Sequence, residues 1–347
     1  MPAYQRLSRR PWHVAALVCI AALLAWLTAA AVVDDKSGRP SAAPDERELS
    51  DGGVVASPVA LGTPTPHLVV VMLENKEFST VVGNTAAPYL NNTLIPSSKL
   101  FTAHYASTHP SLPNYLVLTS GSYAGCVTDV CPVHSIPGPN LFSQMNQAAL
   151  PATWKVYAEG MPANCHPTSS SLVNGYLVRH NPPVYYNNLG PEGDNSCSQR
   201  DVPLAQLSND LQGGTLPDFA MVIPNQWNDM HNNRNKPPCS LGSATQNMVC
   251  QGDQWLATWV PLLLSNGGRN DTTVLVTFDE GTTGQGGAGR VVLLESGPAV
   301  CAGCTEPTPS NHYGLSNAIE QWFGLPPLYP TAPSIRPSEP IVTAVGG

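Results

Sequence analysis

Three stretches of the chain are nearly unbroken runs of apolar and β-branched residues that end on polar ones. "HLVVVML" (67–73) runs into Glu74-Asn75. "DFAMVI" (218–223) runs into Pro224-Asn225, with Asp229 and His231 close behind, and "TTVLVTF" (272–278) runs into Asp279-Glu280. Continuous runs, as opposed to alternating ones, predict strands buried on both faces, the pattern of a parallel sheet. Further strands are predicted at 153–158 and 290–295, with helices at 113–120, 140–148, 253–265 and 315–323. Strands and helices in alternation predict an α/β fold, a three-layer sandwich around a mainly parallel central sheet. The Asn/Pro/Gly-rich stretch 160–217 holds two cysteines and reads as an insertion pinned by a disulfide.

The pattern also divides the chain. Arg6, Arg9 and Arg10 precede an apolar run over 14–33 that ends in small residues. Residues 1–33 are therefore expected to be a signal peptide, or a membrane anchor if the run stays uncleaved, and both place the remainder outside the cytoplasm, secreted or held at the outer face of the membrane. Residues 34–66 lack periodicity and are rich in Pro, Ser, Gly and Asp, as in a linker. The catalytic domain is expected over 67–330, and 331–347 is a Pro-rich tail.

Composition sharpens this picture. Charged residues are only 12% while Pro (35) and Gly (29) are plentiful, which indicates a loop-rich globular protein. A formal charge of -8, with no basic cluster beyond the N-terminus, argues against a nucleic-acid partner. The same acidity argues against electrostatic docking at anionic lipid. Of nine cysteines, Cys19 lies in the apolar run, and an even eight remain in the part expected to be exported. That predicts disulfides, and sequential pairing gives 126–131, 165–197, 239–250 and 301–304. "CAGC" at 301–304 has no second pair to complete a zinc site.

In open α/β sheets ligands sit beyond the carboxyl ends of the strands. Glu74, Asn75, Asp279 and Glu280 would meet there, and carboxylates brought together need a cation or a proton. An oxygen-rich set suits one hard divalent ion, Ca²⁺, Mg²⁺ or Mn²⁺ before Zn²⁺. The alternative is ordinary strand-end acids facing water. In "STHPSLPNYLVLTSG" (107–121), Ser111 falls near the start of a predicted helix. It is either a capping residue or a nucleophile beside an anion-binding helix N-terminus. Asp229, His231 and His312 form a second candidate polar group. His104 and His109 lie beside Ser111, while His67, His134, His166 and His180 have nothing nearby to recommend them. "EGTTGQGGAG" (280–289) lacks the Lys-Ser/Thr end of a P-loop and reads as a turn or lip beside the site.

The segments "MLENKEFSTVVG", "HPSLPNYLVLTSG", "WKVYAEGMP", "PNQWNDMHN", "VTFDEG" and "NHYGLSNAIEQWFGL" occur in this order. In that combination, over about 67–325, the chain resembles the bacterial phosphoesterase family of secreted acid phosphatases and phospholipases C, related to the alkaline phosphatase superfamily. It looks nearer the acid phosphatases, some of which act on phosphoinositides. The resemblance implies an alkaline-phosphatase-like, metal-dependent phosphomonoesterase with metal ligands Glu74, Asn75, Asp279 and Glu280. "SLPN" is similar to "TFPN" in nucleotide phosphodiesterases, which implies Ser111 as nucleophile and Asn114 on a phosphate oxygen. Asp279-Glu280 stands where those relatives have Asp-His, which favours a single hard ion over a two-zinc centre. His231 or His312 would then protonate the leaving group, with His109 and Asp229 contacting substrate. The implied substrate is a phosphorylated small molecule or lipid headgroup, and a phospholipase C-type diesterase or a non-catalytic surface protein are the alternatives.

Overall fold

Every residue of β1 (His67–Leu73) after His67 is fully buried, and its side chains alternate between two apolar layers. The computed structural model describes residues 59, 61–62, 64–149, 151–234 and 237–329. All of them fall within the compact unit Ala43–Gly347. The expected leader or anchor (1–33), nearly all of the 34–66 linker and the 331–347 tail lie outside the described residues. No helix among those described is long and apolar enough to cross a membrane.

The central sheet has eight strands: β2 (Lys99–Phe101), β4 (Trp154–Ala158), β5 (Asp201–Pro203), β6 (Phe219–Ile223), β7 (Thr272–Phe278), β8 (Leu293–Ser296) and β9 (Thr305–Glu306) join β1, in the order β5-β4-β6-β1-β7-β8-β2-β9. β5, β4, β6, β1 and β7 are mutually parallel, with Leu68 opposite Phe219 and Leu73 opposite Phe278. β8 runs antiparallel to both β7 and β2. A two-stranded parallel pair, β3 (His104–Tyr105) with β10 (Ser310–Asn311), lies apart from the sheet.

Period-two alternation explains the three layers. Leu68, Val70 and Met72 face one cluster with Tyr115 of α1 (Ser111–Ser120), Phe142 of α2 (Leu141–Gln147) and Ile319 of α5 (His312–Trp322). Val69, Val71 and Leu73 face the other, with Leu207 of α3 (Ala205–Gly213) and Leu256 of α4 (Ala244–Ser265). Fully burying a Val or Leu contributes about 1.5–3 kcal/mol, so a strand buried on both faces anchors the domain. The predicted α/β sandwich is the fold observed. All four disulfides pair sequentially, as expected.

The differences are local and have causes. α4 begins at 244, not 253, because the Ser243 side chain accepts the Gln246 N–H and starts the helix earlier than the apolar periodicity does. α5 begins at 312 because Asn311 accepts from Tyr313 and Gly314. The 160–217 stretch is not wholly an insertion, since β5 and α3 within it extend the sheet and its second layer. Packing reaches back into the expected linker, where Val59 and Leu61 are buried in the first cluster.

Candidate active site

The carboxyl ends of β1 and β7 are neighbours, so the residues that follow them meet. Asn75 takes a left-handed φ of 43°, which Asn tolerates, and so turns the chain sharply after Glu74. Its N–H donates to Asp279 Oδ1 at 3.0 Å, tying the two strand ends together. The Glu74 N–H donates to the Asp229 carbonyl at 2.8 Å, which adds the loop after β6. Glu74, Asp229, Asp279 and Glu280 are all buried.

α1 delivers the hydroxyls. Ser111 is its first residue, with Pro110 in the cap position, and Ser111 Oγ donates to Glu74 Oε2 at 3.1 Å. One helical turn on, where i and i+4 share a face, the Tyr115 hydroxyl donates to Glu74 Oε1. His180 stacks on the Tyr115 ring at 5.4 Å and 7°, facing Glu74 Oε1 at 3.2 Å and Asp229 Oδ2 at 3.7 Å. Asp129 accepts the Leu112 N–H at 3.0 Å and sits 3.5 Å from Arg179 Nε, so an acid already occupies the positive end of α1.

Electrostatics mark the cluster as unusual. Burial first, then Asp279 and Asp229, hold the Glu74 carboxyl well above the usual range. Asp229 is likewise raised, by burial and by Asp279. Burial lifts Asp279 to about 6, and burial with Asp279 beside it lifts Glu280 to about 7. Burial works against protonated His109, yet the Thr283 carbonyl and Glu280 outweigh it and raise the ring. His180, His231, His312 and His104 are all lowered, chiefly by burial.

The residues fit a hard cation by their donor chemistry. Asn75 Oδ1, Asp229 Oδ2 and Asp279 Oδ2 are buried oxygens without a hydrogen-bond partner among the described residues, an expensive arrangement that a divalent ion would satisfy. Glu280 is already engaged, one oxygen by Asn75 Nδ2 and the other by His109 Nδ1 at 2.9 Å. Among the described residues, the trio of potential ligands gathered within 4.8 Å is Cys165, Cys197 and Asp201. Its two sulfurs are joined in a disulfide, so it has no thiolate to offer.

The structure brings Glu74, Asn75, Asp279, Glu280, Ser111, Asp229, His109 and His231 around one point of the sheet edge. Two of the expected residues are engaged otherwise. Asn114 is fully buried, and its amide accepts the Ser107 and Thr108 N–H groups and donates to the Thr108 and Pro110 carbonyls, so it shapes the loop before Ser111. His312 is fully buried, with Nε2 on the Asp279 carbonyl at 2.6 Å, Nδ1 toward His104 and a pKa pushed down to about 4. An enclosed ring whose Nε2 bonds the Asp279 carbonyl is placed to orient Asp279. His231 is only half-buried, with its N–H on Asp229 Oδ1 at 2.7 Å. The 280–289 lip is stitched down by Glu77, which accepts the Thr282 and Thr283 N–H groups.

Sequence reasoning missed Tyr115, Lys76 and His180. Tyr115 stands four residues after Ser111, so helical spacing held the signal. Lys76 is buried beside the acids and donates to the Asn75 carbonyl at 3.1 Å. His180 comes from the irregular 160–217 stretch, where no periodicity points to it.

Comparison with known proteins places the chain in a family. The Phosphoesterase family model matches residues 86–326. A phosphatidylinositol-3-phosphatase of Mycobacterium tuberculosis is 30% identical over 262 residues, 75% of this chain and 77% of that protein. An acid phosphatase of Aspergillus fumigatus is 28% identical over 74% of this chain, which spans only 55% of the fungal protein. Among solved structures, a protein in the alkaline phosphatase superfamily from Vibrio parahaemolyticus superposes with a TM-score of 0.53 at 13% identity, covering 87% of this chain and 76% of that one, a likeness of fold alone. With the family model matching well over half its length, the chain belongs to the Phosphoesterase family.

Proposed function

We propose that this protein is a metal-dependent phosphate monoester hydrolase that works through a phosphoserine on Ser111. The observation that carries the reading is the Ser111 hydroxyl, at the first position of α1, bonded to Glu74 inside a buried group of four carboxylates. An ordinary capping serine would turn its oxygen to helix N–H groups; this one donates to an acid instead. The names of the two relatives, a phosphatidylinositol phosphatase and an acid phosphatase, support a monoester substrate, either a phosphorylated metabolite or a lipid headgroup.

Asn75, Asp229 and Asp279, which carry the unpartnered oxygens, would hold the cation with Glu74, and Glu280 would join the set by releasing His109. A bound divalent ion would supply charge neutralisation, offsetting the repulsion among the acids and drawing negative charge away from phosphorus. Ser111 Oγ attacks phosphorus and passes its proton to Glu74 Oε2, while the P–O bond to the substrate alcohol breaks. His231 gives the departing oxygen a proton. In the second half a water attacks phosphoserine, its proton returns to His231, the Oγ–P bond breaks, Glu74 gives its proton back to Ser111 Oγ and inorganic phosphate leaves. Burial lowers His231, so its protonated form exists only on the acid side of neutrality, which accords with acid turnover. His109, raised by the Thr283 carbonyl and Glu280, has both ring nitrogens on those two groups and would lend its positive charge to the edge of the site.

The four disulfides support an oxidising compartment, as do the basic and apolar features of residues 1–33. The test is hydrolysis of a phosphate monoester beside a matched diester from pH 4 to 9, with and without chelator, for wild type and Ser111→Ala. Chelator-sensitive monoester turnover that the variant loses, with ³²P trapped on Ser111 at acid quench, is expected. Full turnover by Ser111→Ala would refute the nucleophile, and preference for the diester would promote the phospholipase C reading.

A further inference from the structure

Among the described residues, the three most exposed large apolar side chains stand on two loops beside the active site: Val130 (84%), Leu172 (94%) and Val173 (77%). Val130 projects from the short ring closed by Cys126–Cys131. Its neighbour Asp129 holds the Leu112 N–H of the nucleophile helix and pairs with Arg179. Leu172 and Val173 form the tip of a tight hairpin in which Ser170 bridges Tyr176. That hairpin runs on into Arg179 and His180. It is fixed to the loop of Asp229 and His231 by the Gln226 N–H on the Gly175 carbonyl, and Gly175 lies closely against the Trp227 ring. Both tips are thus built on segments whose other ends are groups of the site.

The local charge differs from that of the whole chain. The described residues of 122–140, 166–181 and 224–240 contain two acids, Asp129 and Asp229, and two bases, Arg179 and Arg234, with Arg179 paired to Asp129, in a chain of formal charge -8. Asp229 is buried in the site and Asp129 is paired. Glu159 nearby is spent on the Asn225 N–H and the Asn228 amide. Arg234 lies over the Trp227 ring at 3.6 Å, a basic and aromatic pairing suited to the headgroup region. Isolated apolar tips that project almost wholly into solvent suit a fluid phase better than a flat protein surface, and with Asp229 buried and Asp129 paired to Arg179, Arg234 is the charge these described segments leave for an anionic headgroup.

We propose that Val130, Leu172 and Val173 insert into an anionic lipid bilayer, so that the active site meets phosphomonoester headgroups at the membrane surface. This deepens the phosphomonoesterase reading and rests on it for the identity of the headgroup.

The chain from Ala43 onward contains the whole sheet, both apolar layers and all four disulfides, so it is tested free of the apolar run at 14–33. Flotation with phosphatidylcholine–phosphatidylserine vesicles is measured for wild type and for Val130→Ser/Leu172→Ser/Val173→Ser, with hydrolysis of a phosphoinositide monophosphate in those vesicles. p-Nitrophenyl phosphate serves as the soluble control. The variant is expected to lose about tenfold or more in vesicle binding and in vesicle hydrolysis, with soluble turnover unchanged. Val173→Trp is expected to shift binding the other way. Equal flotation of wild type and the triple variant, or no flotation of wild type, overturns insertion. Flotation that depends on the tips, from a protein that hydrolyses neither substrate, upholds insertion and refutes the phosphomonoesterase reading instead.

Discussion

Removing one charge from the acid cluster should stabilise the metal-free protein while destroying its function. Asp279 is fully buried and its carboxyl is held at about 6, against an ordinary 3.8. A carboxyl with a raised folded pKa opposes folding once pH exceeds its unfolded value, and the penalty is complete above the folded value. The window therefore runs from about pH 4 to 6. At about 1.36 kcal/mol per unit, ionising Asp279 costs the metal-free fold on the order of 3 kcal/mol by neutral pH. Asp279→Asn keeps an oxygen for the Asn75 N–H and removes that cost. In a domain of this size about 3 kcal/mol corresponds to roughly 6–12 °C in Tm.

The assay is thermal unfolding in chelator at pH 4.5 and 7.5, repeated with Ca²⁺, Mg²⁺ or Mn²⁺. Metal-free wild type should be less stable at pH 7.5 than at pH 4.5 by the contribution of this cluster, and Asp279→Asn should remove most of that loss. Added divalent ion should raise the wild-type Tm at pH 7.5 and leave the variant nearly unmoved, since the ion binds only the folded state. An Asp279→Asn protein that is less stable than chelated wild type at pH 7.5 would refute the reasoning. It would mean that the carboxylate is stabilised where it stands, without a cation.

His180→Ala should lower kcat/KM about 10–100-fold in chain that remains folded by near-ultraviolet circular dichroism, because Glu74 and Asp229 lose the ring that orients them. Unchanged steady-state kinetics would remove His180 from the site. Replacing Cys165 and Cys197 by Ser should cost roughly 3–4 kcal/mol in urea titrations, against about 2 kcal/mol for Cys301 and Cys304, since the first pair closes 32 residues of sequence and the second only 3. Equal losses would contradict the loop-entropy argument. Glu320, a buried residue of α5 raised by that burial to about 8, should be better as Gln: Glu320→Gln is expected to raise stability on the order of 3 kcal/mol near pH 7 and to add nothing at pH 4, where both forms are neutral. A gain at pH 4 as large as that at pH 7 would show that packing, not charge, is responsible.

What the sequence showed and what it concealed have physical reasons. β1, β6 and β7 were legible because burial on both faces demands unbroken apolar runs, and a parallel sheet then dictates that Glu74-Asn75 and Asp279-Glu280 meet at one edge. The cysteines paired in order because each partner is the next in sequence. Helix starts were misjudged wherever a polar cap, Ser243 or Asn311, begins a helix before its apolar face does. β5 and α3 were concealed because the Asn, Pro and Gly around them carry no period. His180 was illegible for a deeper reason. A side chain that reaches a site from an irregular loop is placed by tertiary packing, here the stack on Tyr115, and packing of that kind leaves no trace in local spacing.

The arrangement around Glu74 holds two opposed tendencies. Ser111 and Tyr115 donate hydroxyl hydrogens to its two oxygens, which favours the charged carboxylate. Burial with Asp279 and Asp229 nearby favours the neutral acid. A protonated Glu74 would waste one of those acceptors, and an ionised one would leave like charges together in a buried pocket. Lys76 does not resolve the conflict, since burial also lowers its ammonium and its hydrogen bond goes to the Asn75 carbonyl. A divalent cation would resolve it without disturbing either hydroxyl, because it would act on the charge and leave both donors in place. In the proposed reaction Glu74, kept ionised when a cation offsets its neighbours, would be the group that takes the Ser111 proton. The features that make the cluster unfavourable alone are thus the ones that would favour a cation beside Ser111.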